Sequence, residues 1–194
     1  MMKNPQIAGV VLIVGLVLVL VAAFAGPPRL YQDPDSDNRL QIIADYPGRW
    51  LASNLFFILA GVVTAVGLGL FSLHLRASIS GWITGLAAAG YTLGTIAWMV
   101  LMAGRAVNPE PYFRNYTFSP LTVALLWLIL VGLLLYGVAF LQAGYPGWLG
   151  FGTIAGTGLI GAAALFFPNQ FYASFPPQIL YLFTLVSGIV MLRQ

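Results

Sequence analysis

The chain has 194 residues, 60% of them hydrophobic and only 7% charged, with a mean hydropathy of +0.91. A soluble domain carries roughly 25% charged residues, so a water-facing surface over the whole chain is excluded and lipid is the expected solvent for most of it. Eight Lys and Arg against five Asp and Glu leave a net charge of +3. These cations are scattered, which speaks against a nucleic-acid footprint, and the absence of cysteine removes disulfides, thiol catalysis and iron–sulfur ligation.

In chain order, six segments reach or approach the length of about 20 apolar residues needed to cross a bilayer. They cover residues 7–25, 50–74, 79–104, 120–142, 147–167 and 177–193, and together they predict one all-α domain over 1–194, a polytopic integral membrane bundle of six transmembrane helices. The first run, which ends Ala23-Phe24-Ala25, resembles a signal sequence. Its length favours a retained spanning helix. The last run is short.

Connections 26–49, 105–119 and 168–176 are long, whereas 75–78 and 143–146 are tight. Alternating helix direction therefore predicts that the three long connections share one face, opposite both termini. All five acidic residues, Asp33, Asp35, Asp37, Asp45 and Glu110, fall on that face. Lys3 ahead of the first span favours cytoplasmic termini in a bacterial plasma membrane. A bare count of Arg29, Arg39, Arg49, Arg105 and Arg114 on the long-loop face points the other way.

Within the first long connection, Leu40, Ile43 and Ala44 follow helical spacing after the capping residues Asp35, Ser36 and Asp37. This predicts a short amphipathic interfacial helix, broken at Pro47-Gly48, with Arg49 and Trp50 anchoring the second span. Small residues mark helix contacts in lipid. Gly81, Gly85, Ala89, Gly90 and Gly94 of the third span and Gly152, Gly156 and Gly161 of the fifth predict a centre built from spans two, three and five. The first and fourth spans, rich in Val and Leu, are expected to face lipid.

No Asp, Glu, Lys or Arg lies in the interior of these six segments, which disfavours proton-coupled pumping, voltage sensing and a retinal Schiff base. The P-loop and zincin motifs are absent. His74 is the lone histidine and is expected to interact with helix-terminal carbonyls, so neither a metal nor a bound cofactor is expected. Nucleic acid is not an expected partner.

Three functional readings remain. The leading one is a non-enzymatic accessory or lipophile-binding subunit. Its partners are the lipid bilayer, an apolar small molecule or other membrane subunits. The ligand-binding candidates are Arg49, Trp50, Asn54, Trp98, Tyr112, Arg114 and Tyr116, which combine aromatic area with a few polar groups at the long-loop mouth. The second is a membrane-surface enzyme acting on a lipid-linked substrate, with Asp45 and Glu110 as an acid/base pair. The third is a carrier of a neutral or apolar solute, which requires a polar route through the bundle.

Overall fold

A helix satisfies its own backbone N–H and C=O groups, which is why long apolar runs in lipid become helices. The computed structural model describes residues 4–75, 81–114, 120–168 and 180–193. Its helices are α1 (Asn4–Ala25), α2 (Ser36–Asp45), α3 (Pro47–Leu75), α4 (Gly81–Val107), α5 (Glu110–Arg114), α6 (Pro120–Gln142), α7 (Gly147–Phe166) and α8 (Leu180–Leu192). The described residues contain no strand. Pro47 and Pro120 each open a helix, where a missing N–H is harmless and the fixed φ suits the first turn. Pro47-Gly48 thus begins α3 instead of breaking the chain before it.

Five helices, α1, α3, α4, α6 and α7, are long and apolar enough to cross a membrane, which supports an integral membrane protein. α8 is equally apolar but has 13 residues, about 20 Å at 1.5 Å per residue, short of a hydrocarbon core about 30 Å thick. Most of the predicted third long connection and the start of the predicted sixth span, residues 169–179, lie outside the described residues.

The helices pack in the order α8, α1, α3, α4, α6, α7, each against the next. Phe183 of α8 also meets Tyr136 and Phe140 of α6, with ring centroids 6.0 Å apart in both pairs. The centre of the bundle differs from the sequence expectation. Of the five long helices, α6 is the most buried and α7 the least. The reason is where backbones touch. A Cβ on Gly132 of α6 would lie 2.8 Å from the Tyr91 amide nitrogen of α4, and one on Gly137 would lie 3.1 Å from the Gly150 carbonyl oxygen of α7. Small residues on α6 therefore admit a neighbour on each side. On α7, by contrast, nothing lies within 4 Å of a Cβ at Gly152 or Gly156. On α4, Gly90 and Gly94 do meet α6, while Gly81 and Ala89 face outward. α1 turns Ala8, Leu12, Val19 and Ala22 inward and leaves Val10, Val14 and Val17 exposed.

At the end where α1 finishes, α3 begins and α4 ends, α2 and α5 are joined. Ser36 Oγ donates to the Phe113 carbonyl oxygen at 3.3 Å, and Arg114 pairs with Asp37 at 2.6 Å. The first two long connections therefore do share one face.

Candidate functional site

The site grows from the α2–α3 corner. Asp35 caps α2 by accepting the Asp37 amide at 2.9 Å. The Tyr46 amide closes the helix on the Ile42 and Ile43 carbonyls. The backbone then turns directly into α3, where the Trp50 amide bonds back to the Tyr46 carbonyl at 3.0 Å. Trp50 is buried beside Leu30 and Ile43, with Phe113 of α5 packed against the same cluster. One turn further along α3, Asn54 is fully buried. Its Nδ2 donates to the Trp50 carbonyl at 2.8 Å, which turns Oδ1 toward α4.

What Oδ1 meets there is Arg105. The sequence reading ended the third span at Gly104 and put Arg105 in the loop, but α4 continues to Val107. The extra turn swings the side chain inward, leaving Arg105 only 4% exposed. Its Nε donates to Asn54 Oδ1 at 2.7 Å and its Nη1 to the Tyr112 hydroxyl at 3.2 Å. The guanidinium carbon lies 4.6 Å from the Trp50 ring centroid, 4.9 Å from that of Tyr112 and 5.7 Å from that of Phe57. Cation–π attraction to such faces contributes about 0.5–2 kcal/mol each. Trp98, two turns deeper on α4, abuts Phe57 edge-on and donates Nε1 to the Phe57 carbonyl at 3.4 Å.

Arg105 Nη2 and Trp50 Nε1 are both buried without a hydrogen-bond acceptor. The Tyr31 phenol is a further partner of the guanidinium, through a hydrogen bond as well as through charge. Packing around the Tyr31 phenol pushes its pKa above the ordinary value, and the positive charge of Arg105 opposes that shift. Tyr31 as a residue keeps 55% of its surface exposed, although its phenol end is packed in beside Arg105. Both ion pairs among the described residues belong to Arg114, with Asp37 at 2.6 Å and Glu110 at 3.3 Å. No carboxylate among them pairs with Arg105.

Of the sequence candidates, Trp50, Asn54 and Tyr112 therefore converge, with Trp98 behind them. Arg49 lies outside this group. Its Nε and Nη2 donate to the Ala25 and Phe24 carbonyls at 3.2 and 3.1 Å, holding the end of α1. Arg114 lies on the exposed surface in its two ion pairs. Asp45 is exposed at the end of α2, and Glu110 is exposed and engaged by Arg114. Tyr116 lies outside the described residues. Among those residues no group of His, Asp and Glu is arranged to hold a metal.

Arg105 is the residue that sequence reasoning missed, although a signal was present. Trp50, Asn54 and Phe57 stand at i, i+4 and i+7, as do Trp98, Met102 and Arg105. Each set lines one helix face.

A second feature lies between α6, α7 and α8. A groove of about 330 Å³ is lined by Leu133, Trp148, Gly152, Gly156, Ile160 and Phe183, among others. It exists because the outward glycines of α7 are left uncovered. The Thr153 hydroxyl on its wall already donates to the Leu149 carbonyl at 2.7 Å.

The chain matches no family model, no curated protein and no solved structure.

Proposed function

We propose that this protein is a non-enzymatic membrane subunit that binds a lipophile, and that it holds a hydrocarbon chain in the α6–α7–α8 groove. The observation that carries the reading is the groove itself: about 330 Å³ of apolar space, opened by Gly152 and Gly156. Pockets of this size suit small ligands, and the satisfied Thr153 hydroxyl leaves its wall suited to methylene groups. In this reading the bundle sits in a bacterial plasma membrane with cytoplasmic termini. α8 belongs to a sixth crossing, and α2 lies at the interface.

The test is native mass spectrometry after purification in a lipid-free detergent. Wild type should retain a lipid-sized adduct, and Gly156→Leu should lose it. Gly69→Leu, at another glycine with nothing within 4 Å, should keep it. A wild type that emerges empty, or a Gly156→Leu variant that stays loaded, overturns the reading. A bound protein helix in place of a lipid would argue instead for an accessory role in a larger membrane assembly.

No observation favours the surface-enzyme alternative. Glu110 is tied to Arg114 and Asp45 is exposed. The carrier alternative gains nothing from a core in which Leu12, Leu68, Met102, Leu130 and Phe140 are fully or almost fully buried.

A further inference from the structure

We infer that Arg105 and Trp50 form a receptor for an oxyanion, a carboxylate or a phosphate, reached from the end of the bundle covered by α2 and α5. The site is separate from the apolar groove and does not depend on it.

Three observations combine. The first is charge. Arginine stays protonated in proteins, and Arg105 carries that charge at 4% exposure. An uncompensated buried charge is strongly unfavourable, and no carboxylate among the described residues pairs with it. Asp37 of α2 and Glu110 of α5 are both held by Arg114.

The second is the pair of unused donors. Arg105 Nη2 and Trp50 Nε1 are buried, lack an acceptor, and belong to side chains in direct cation–π contact at 4.6 Å. They come from different helices, α4 and α3. A neutral oxygen could occupy one donor but would leave the charge unanswered. An oxyanion answers the charge and offers more than one acceptor, which the guanidinium fork is shaped to meet. The carbonyls at the C-terminus of α4 and the aromatic faces do favour a cation here. They stabilise the charge without bonding either free N–H.

The third is support and access. Nε is fixed by Asn54, itself fully buried, and Nη1 by Tyr112. The free edge of the guanidinium is therefore held in a set orientation, the arrangement expected of a preorganised binding group. Tyr31, 55% exposed as a residue and bonded to the guanidinium through its buried phenol, puts solvent one side chain away from the site.

The oxyanion has two possible sources, a free ion or the head group of an anionic lipid. Thermal unfolding distinguishes them. In one arm the full-length protein in neutral maltoside micelles is titrated with inorganic phosphate, with ionic strength held constant by chloride. In the other, phosphatidylcholine nanodiscs are compared with nanodiscs that also contain phosphatidylglycerol.

Wild type should gain thermal stability in at least one arm. A response to inorganic phosphate identifies a free oxyanion, and a response confined to phosphatidylglycerol identifies the head group. Arg105→Gln should abolish the response. Trp50→Phe keeps an aromatic face and removes only Nε1–H, so it should weaken apparent affinity roughly tenfold, the loss of one charge-assisted hydrogen bond. If Arg105→Gln does not fold, Trp50→Phe decides alone. No response in either arm, or an undiminished response in Trp50→Phe, overturns the inference. Loss of the groove lipid in Gly156→Leu tests the other reading and leaves this one standing.

Discussion

Trp50 stands in the first turn of α3 and Arg105 in the last turn of α4, yet the guanidinium carbon lies 4.6 Å from the indole centroid. Antiparallel packing of the two helices brings these opposite chain positions to the same depth. Asn54, one turn into α3, then fastens Nε at 2.7 Å.

Asn54 and Arg105 should therefore behave as a coupled pair. Asn54→Leu is expected to cost about 1–3 kcal/mol, because it strips an acceptor from a buried charged donor. In an Arg105→Met background the same change should cost markedly less. Arg105→Met itself should also cost about 1–3 kcal/mol, because it leaves the buried Asn54 Oδ1 without its donor. A double-mutant cycle on thermal or denaturant unfolding in micelles measures the coupling, and strict additivity would contradict it.

The glycines divide by what faces them. Gly132→Val should destabilise by about 1–3 kcal/mol, the usual cost of overpacking, because its Cβ would meet the Tyr91 amide at 2.8 Å. Gly156→Ala has open space and should be neutral or slightly stabilising through the better helix propensity of alanine. Equal losses in the two variants, measured by thermal unfolding, would contradict the assignment of α6 to the centre.

Arg49 ties down the last carbonyls of α1. Arg49→Gln should fray that end, with faster hydrogen exchange confined to the final turn of α1 and a global loss of about 0.5–1.5 kcal/mol. Unchanged exchange there would show that water replaces the guanidinium without loss.

The Arg114–Asp37 pair is short, at 2.6 Å, but its side chains are 51% and 73% exposed. Asp37→Asn is expected to cost less than about 1 kcal/mol, and the difference should shrink as salt rises. A larger, salt-independent loss by chemical denaturation would mean that the bridge is shielded from solvent.

Much of this was legible in the residues. Apolar length marks all five long helices, because a spanning backbone must satisfy itself. Asp35 marks the start of α2, because its carboxylate can accept an otherwise free amide. Helix alternation placed the first two long connections together and so put Trp50, Asn54 and Tyr112 at one end of the bundle, but not their meeting on one guanidinium. Composition could not show that α4 runs one turn past Gly104, since helix ends are set by local packing more than by hydropathy. That single turn converts Arg105 from a loop cation into a buried one.

The glycines mark the same boundary. Spacing alone made the fifth span look central, for a small residue permits close approach without requiring it. Which glycine meets a neighbour is a property of pairs of helices. The tertiary structure assigned that role to Gly132 and Gly137 of α6 and left Gly152 and Gly156 of α7 facing an open groove. The sequence by itself determined an apolar, all-helical chain and the face that carries its acids, because those depend on each segment's own chemistry. Tertiary structure alone decided where a charge is buried and where space is left, because both depend on what stands opposite.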